Sequence, residues 1–135
     1  MLFRSTCIHS IKSLECLVAL GMESGAISDG QINASSAYDE RHAAIQGRLR
    51  LKGTAIKKGS WTPMKNDSAS PWLQIDLGNY HTSVRGVATQ GRNGDSNLEW
   101  VTSYRLQYSD NGENFAYYVE EGKELIKVGC YLFKN

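Results

Sequence analysis

The feature that most constrains the fold is the alternation of side chains in residues 71–78. Leu73, Ile75 and Leu77 lie on one side of an extended chain, and the residues between them lie on the other. A proline precedes this alternation and a glycine ends it, as is typical of strand boundaries. The segment therefore predicts a β-strand with one face on a hydrophobic core.

Two further segments, 84–90 and 101–109, have the composition of strands. We expect both to pair with 71–78 in a single sheet that has one apolar face and one wet face. The residues predicted to be buried on the apolar face are Leu73, Ile75, Leu77, Val87, Tyr104 and Leu106.

The rest of the chain indicates short strands joined by turns. Residues 31–35 and 115–119 favour strands, and Asp110-Asn111-Gly112 is a strong turn signal. Met22 and Ile27 are available to fill the core, and no helix of normal length is predicted. This pattern is typical of an all-β sandwich or barrel.

Composition limits the possible partners. The chain has 135 residues, enough for one domain, and a net charge of +1, which gives no overall field for nucleic acid. Residues 41–65 nevertheless contain seven basic residues and no acid, and acids gather in residues 110–124. The basic run is interpreted either as a solvated surface or as a patch facing anionic lipid or sulfated glycan.

Three cysteines, Cys7, Cys16 and Cys130, have irregular spacing that excludes a paired zinc site. The N-terminus is a poor signal peptide, and no apolar run is long enough to span a membrane. Asn33 and Asn66 fit the N-glycosylation pattern, which matters if the chain is secreted.

Ionisable residues concentrate in the loop 36–46, where Asp39, Glu40, Arg41 and His42 are consecutive. Catalysis would need a convergent nucleophile, base and oxyanion donor, and the sequence specifies none, so we predict that the chain is not an enzyme. The cluster is interpreted either as a solvated loop tip or as a glycan-contacting loop. These residue types suit sugar hydroxyls, with Tyr38 or Trp61 as a stacking surface. The sequence predicts no cofactor and no metal ligands.

Five motifs in order resemble the discoidin domain family, also called the coagulation factor V/VIII (F5/8) type C domain. The motifs are residues 20–25, 31–36, 72–78, 87–92 and 101–112. The resemblance implies a jelly-roll β-sandwich of the galactose-binding-domain-like class, with ligand-binding loops at one end. Those loops correspond to 36–46, 53–63 and 91–99, and the predicted ligand-binding residues are Tyr38, Asp39, Arg41, His42, Trp61, Arg92 and Glu99.

The chain also departs from the family pattern. Its first loop lacks the bulky apolar tips of phospholipid-binding members and the tryptophan of collagen-binding members. Family domains add further strands and end on a cysteine that bonds the counterpart of Cys16, whereas residues 119–135 do not resemble those strands. We therefore divide the chain into an unassigned segment 1–15, a discoidin-like domain 16–118 and an off-family tail 119–135, and expect the sandwich to be incomplete at the C-terminal end.

The resemblance implies an extracellular or cell-surface recognition domain that binds a glycan, a glycoprotein or extracellular matrix, in a lectin-like or adhesive role. One alternative is a membrane-surface module that binds anionic phospholipid through residues 41–65. Another is a truncated product without function.

Overall fold

The computed structural model describes residues 2–5, 18–67, 70–78, 82–94, 99–124 and 126–128. Within them the regular structure consists of short strands and three single 3₁₀ turns, Asp29–Gln31, Glu40–His42 and Ala44–Gly47. The strands are β1 (Leu2–Ser5), β2 (Val18–Ala19), β3 (Ile32–Ala34), β4 (Leu73–Ile75), β5 (Val84–Ala88), β6 (Ser103–Tyr104), β7 (Gln107–Tyr108), β8 (Ala116–Tyr117), β9 (Val119–Glu120), β10 (Lys123–Glu124) and β11 (Lys127–Val128). The all-β prediction is confirmed.

The core is centred on the loop of residues 20–28, called the N-terminal loop here, and on the antiparallel pair β3–β4. Met22, Ile27 and Ile32 are buried, and Ile32 lies opposite Ile75 in the register. The other apolar side chains that pack against this centre are Leu20, Ala44, Ile45, Leu73, Ile75 and Leu77. Leu73, Ile75 and Leu77 thus share one face on the core, as their alternation predicts.

The predicted pairing of the central strands is wrong. β4 pairs with β3, β5 pairs with β1, and β6 pairs with β11. Side-chain period determines which face of a strand is buried but not which strand lies beside it, because the ladder bonds come from the backbone. The three strands therefore belong to separate sheets in the described residues.

The predicted depth of burial is also too great. All six side chains that were expected in the core are half-buried: Leu73, Ile75, Leu77, Val87, Tyr104 and Leu106. A two-stranded pair covers each face only partly, and the deepest apolar positions are Met22 and Ile27 of the N-terminal loop and Ile32 of β3.

The β7–β8 hairpin forms where the turn signal predicts it. Ser109 and Asn111 accept hydrogen bonds from the backbone N–H groups of residues 111–114. Gly112 has φ +73°, which favours glycine because a side chain would be strained there. The prediction of a structural turn at 110–112 is confirmed.

Both ends of the described chain contain strands that the sequence did not predict. β1 lies between β2 and β5 in an antiparallel sheet, although residues 1–15 show no period. In the tail, β9 pairs with β10 and β11 pairs with β6. Three segments of the tail therefore form paired strands, although the tail was expected to lack the strands that close the family sandwich. The cysteines Cys7, Cys16 and Cys130 lie outside the described residues.

Arg48 connects the core to the loops. Its guanidinium donates hydrogen bonds to the carbonyl oxygens of Met22 (3.3 Å) and Ile27 (2.7 Å) and to the carboxylate of Asp29 (2.5 Å). The side chain is only 13% exposed. Arg48 is therefore an internal anchor, and the interpretation of the basic run as a solvated or ligand-facing surface does not hold at this position.

Candidate functional site at the meeting of three loops

The loop 36–46, called the first loop here, is organised by Asp39. Its Oδ1 accepts hydrogen bonds from the backbone N–H of Arg41 (2.9 Å) and contacts His42 Nδ1 at 2.6 Å. Its Oδ2 accepts from Arg41 Nε (3.0 Å) and Nη2 (2.7 Å). Aspartate before a helical turn is favoured because its carboxylate caps the open N–H groups. One carboxylate therefore fixes both neighbouring side chains.

These hydrogen bonds stabilise the ionised form of Asp39. They lower the pKa of Asp39 from 3.8 to about 2, with the bond from Arg41 as the largest cause and that from His42 next. His42 is 7% exposed, and its ring meets the Tyr38 ring edge to face at 5.5 Å. Tyr38 itself is 48% exposed. The aromatic surface of Tyr38 therefore faces solvent on a rigid support.

Backbone hydrogen bonds join the first loop to the second loop, residues 53–63. The N–H of Tyr38 donates to the Thr62 carbonyl (2.8 Å), and the N–H of Lys58 donates to the Arg41 carbonyl (3.0 Å). The Trp61 indole N–H donates to the Ser36 carbonyl at 2.8 Å. Trp61 thus holds the two loops together.

Three glycines bring the second loop against the third loop, residues 91–99. The N–H of Gly53 donates to the Asn93 carbonyl at 2.5 Å. A Cβ at Gly59 would lie 2.5 Å from the Asn93 oxygen, and one at Gly94 would lie 2.5 Å from Gly53 Cα. The two backbones approach this closely because none of the three residues has a side chain. We call Gly53, Gly59 and Gly94 the glycine contact.

Arg92 and Glu99 close the base of the third loop. The N–H of Arg92 donates to the Glu99 carbonyl (2.8 Å), and Arg92 Nη1 donates to Glu99 Oε2 (2.5 Å). The Arg92 side chain is 7% exposed and that of Glu99 is 60% exposed. The pair bridges the base of the loop, and Glu99 presents its carboxylate at the surface.

The three loops enclose one open cleft of about 420 Å³. Its lining residues are Tyr38, Arg41, His42, Lys58, Thr62, Pro63, Lys65, Arg92 and Glu99. Five of the seven predicted site residues line it, and the clustering expected of the three loops is observed. A volume of this size lies within the range of small-ligand sites, about 300 to 1,000 Å³.

Two predicted residues do not line the cleft. Asp39 holds Arg41 and His42, which do line it, and Trp61 joins the first loop to the second. Sequence reasoning missed Lys58, Thr62, Pro63 and Lys65. The basic run was the signal for the two lysines, but alternation and charge do not show which of its members converge. A role of these side chains in ligand binding stays a prediction.

The glycosylation candidates lie in different settings. Asn33 is exposed on β3, and Asn66 is exposed in the turn that the Asp67 N–H closes on the Met64 carbonyl (3.0 Å). The hydroxyls of Ser35 and Ser36 donate to Asp67 Oδ2, at 2.6 and 2.5 Å, and lower the pKa of Asp67. Modification of either asparagine stays a prediction.

The described residues contain no group of three or more His, Cys, Asp or Glu side chains placed to hold a metal ion. None of the helices in this part of the chain has the length and apolar character needed to span a bilayer.

The family model of the F5/8 type C domain matches residues 31–128. The chain belongs to this family. The family fold is a β-sandwich, so the predicted fold class is confirmed. The match continues beyond residue 118 into the segment interpreted as an off-family tail, and the boundaries 1–15, 16–118 and 119–135 stay predictions.

Curated relatives share from a third to two fifths of the aligned residues. A lactadherin of Rattus norvegicus is 34% identical over 84% of this chain, and the human EGF-like repeat and discoidin I-like domain-containing protein 3 is 38% identical over 89%. Neuropilin-1 of Mus musculus is 36% identical over 87%. The chain spans only 27%, 25% and 12% of these relatives, respectively.

Proposed function

We propose that this F5/8 type C domain is an extracellular, non-enzymatic recognition module that binds a cell-surface glycan or glycoprotein through the cleft between its three loops. The proposal includes a lectin-like or adhesive role and extends to components of the extracellular matrix as ligands. The observation that supports it best is the convergence of five predicted site residues, from the first and third loops, on one cleft.

The cleft offers the groups that carbohydrate recognition uses. The exposed Tyr38 ring provides a flat apolar surface for the C–H face of a sugar. Arg41, Thr62 and Glu99 provide donors and acceptors for hydroxyl groups. Asp39 and Glu99 each hold an arginine, so the cleft needs little rearrangement when a ligand enters.

A glycan array tests the proposal. We expect the purified chain to bind a subset of saccharides, and Tyr38→Ala and Arg41→Ala to reduce that binding by about tenfold each. Lys57→Ala is the matched control, since Lys57 is an exposed cation of the second loop outside the cleft. Arg92→Ala is a poorer probe because Arg92 is almost fully buried in its pair with Glu99.

Binding to no saccharide at all would refute the glycan proposal. So would equal losses in Tyr38→Ala, Arg41→Ala and Lys57→Ala, since these would not distinguish the cleft from the surrounding surface.

The exposure of two apolar side chains favours the second candidate, binding to anionic phospholipid. Ile56 is 73% exposed in the second loop, and Met64 is 53% exposed just beyond it, both within the basic run 41–65. Apolar tips beside cations suit a lipid surface. Binding to phosphatidylserine vesicles should then fall steeply with salt, because exposed charges are screened, and should fall again in Ile56→Ser. Glycan binding should be unchanged in Ile56→Ser.

A further inference from the structure

We propose that Asn93 is a site of spontaneous deamidation, at which the side-chain amide is converted into an isoaspartate link that opens the glycine contact and alters the cleft. The chain contains two Asn-Gly pairs, Asn93-Gly94 in the third loop and Asn111-Gly112 in the β7–β8 turn. Their surroundings differ in the structure. The inference goes beyond the proposed function, because it does not depend on which ligand the cleft binds.

Deamidation needs a free side-chain amide and a free backbone nitrogen. The nitrogen of the following residue loses its proton and attacks Cγ of the asparagine, and the Cγ–Nδ2 bond breaks as ammonia leaves. Water then opens the cyclic imide. When water attacks the α-carbonyl carbon, the bond from that carbon to the nitrogen breaks, the main chain continues through Cβ and Cγ, and the α-carboxylate becomes the side chain. A following glycine favours the reaction because it has no Cβ to obstruct ring closure.

Both reacting groups are available at Asn93-Gly94. Among the described residues, no group forms a hydrogen bond with the Asn93 carboxamide or with the Gly94 N–H. Asn93 is half-buried and Gly94 is exposed, so water reaches the pair. The hydrogen bond that Asn93 does form uses its main-chain carbonyl, which accepts from the Gly53 N–H. That bond leaves the side chain free to turn toward the nitrogen of Gly94.

Both reacting groups are engaged at Asn111-Gly112. The Oδ1 of Asn111 accepts from the Ser109 hydroxyl at 2.9 Å. It also accepts from the backbone N–H groups of Glu113 (3.0 Å) and Asn114 (2.9 Å). The Gly112 N–H donates to Ser109 Oγ at 3.0 Å. Rotation of the carboxamide, or of the nitrogen toward Cγ, would disturb these bonds, so the turn protects this pair.

An isoaspartate at position 93 does not fit the glycine contact. It adds one carbon to the backbone, a lengthening of about 1.5 Å. A Cβ on Gly59 would lie only 2.5 Å from the Asn93 oxygen, and one on Gly94 only 2.5 Å from Gly53 Cα. These gaps leave no room for a further main-chain atom, so the second and third loops must separate. Arg92 lines the cleft and directly precedes Asn93, so the cleft changes as well.

Peptide mapping of the full chain, after incubation in mildly alkaline buffer, tests the inference. Trypsin places the two pairs in separate peptides, residues 93–105 and 106–123. Mass spectrometry detects the replacement of an amide by a carboxyl group, and labelling by an isoaspartyl methyltransferase detects the isoaspartate. We expect Asn93 to convert about tenfold faster than Asn111, because at least one net hydrogen bond must first be lost at Asn111.

Two controls show that the fold causes the difference. In urea the hydrogen bonds of the turn are lost, so the two Asn-Gly pairs should convert at similar rates. In the folded chain, Ser109→Ala removes the Ser109 hydroxyl that bonds Asn111 and Gly112. This variant should convert Asn111 faster and leave the rate at Asn93 unchanged.

Asn93→Gln tests the consequence for the glycine contact. The longer side chain keeps the amide but must close a larger ring, which forms more slowly. After the same incubation, the unmodified sequence should unfold at a lower denaturant concentration and bind less ligand. Asn93→Gln should retain its unfolding midpoint and its binding.

Conversion of Asn93 that is no faster than that of Asn111 in the folded chain, although both convert in urea, would overturn the assignment of the site. Conversion of Asn93 with an unchanged unfolding midpoint would overturn its effect on the glycine contact. Failure of the fresh protein to bind any saccharide would refute the glycan proposal and leave this inference standing, since the peptide map and the unfolding midpoint need no ligand.

Discussion

Replacement of Gly59 by alanine should separate the second loop from the third loop and open the cleft. The new Cβ would lie 2.5 Å from the Asn93 oxygen, 2.6 Å from Gly53 N and 2.7 Å from the Leu51 oxygen. All three are backbone atoms, which cannot rotate away as a flexible side chain can. To reach ordinary van der Waals distance, the loops must move apart by about 1 Å, a shift that overpacking commonly forces at a cost of about 1 to 3 kcal/mol.

Backbone strain adds to this cost. Gly59 has φ +63°, where a side chain costs about 1 to 2 kcal/mol. Weakening the bond from the Gly53 N–H to the Asn93 carbonyl would cost about a further 1 kcal/mol. We therefore expect a loss of about 3 to 6 kcal/mol in the free energy of unfolding, a large part of the roughly 5 to 15 kcal/mol of a typical domain.

Gly25→Ala provides the matched control. Gly25 has φ +83°, but a Cβ there would meet no atom within 4 Å. This variant therefore measures the strain of positive φ alone, about 1 to 2 kcal/mol. Denaturant unfolding gives both free energies, and the glycan array gives the state of the cleft. If Gly59→Ala costs no more than Gly25→Ala and leaves ligand binding intact, the glycine contact does not hold the loops together.

Three further predictions concern the first loop and the core. The Asp39 carboxyl should titrate near pH 2 in carbon-detected NMR, and its pKa should rise in Arg41→Ala. Because the pKa of Asp39 is lower in the folded state than in the unfolded state, its stabilisation of the fold is complete above about pH 4. That stabilisation is lost as the pH falls toward 2. No rise in Arg41→Ala would contradict the assigned cause. In denaturant unfolding, Leu106→Ala should lower the free energy of unfolding by roughly 1 to 2 kcal/mol, because Leu106 is only half-buried. Ile32→Ala should lower it by about 2 to 5 kcal/mol, the range typical of fully buried aliphatic side chains. Equal losses in the two variants would show that partial burial does not reduce the cost. Trp61→Phe keeps an aromatic side chain but removes the indole N–H that bonds the Ser36 carbonyl, so it should cost at least about 1 kcal/mol and weaken ligand binding. An unchanged variant would show that this bond does not hold the loops.

Local sequence patterns correctly predicted those structural features that are determined by residues adjacent in the chain. The alternation of Leu73, Ile75 and Leu77 identifies the core face because the side-chain period of a strand is a local property. The same alternation does not identify Ile32–Ala34 as the partner of Leu73–Ile75, since that pairing joins segments about forty residues apart.

Some residues of the candidate site could likewise be predicted from local sequence patterns, and others could not. The dense polar cluster in the first loop pointed to Arg41 and His42, and the family resemblance pointed to the third loop. The glycine contact could not be predicted, because Gly53 and Gly94 become neighbours only after the chain has folded. Arg48 was misinterpreted for a similar reason: a cation in a basic run gives no sign that carbonyl oxygens will surround it.

The hydrogen bonds of the Ser35 hydroxyl determine whether Asn33 can be glycosylated before or after the chain folds. In the folded chain that hydroxyl donates to Asp67 Oδ2 (2.6 Å) and accepts from the Trp72 N–H (3.1 Å), while Asn33 lies opposite Gln74 in the β3–β4 ladder. A glycosyltransferase that recognises Asn33-Ala34-Ser35 needs both the extended segment and its hydroxyl. Transfer must therefore precede folding of this pair. A glycan on Asn33 would therefore show that the transferase modified the chain before β3 paired with β4.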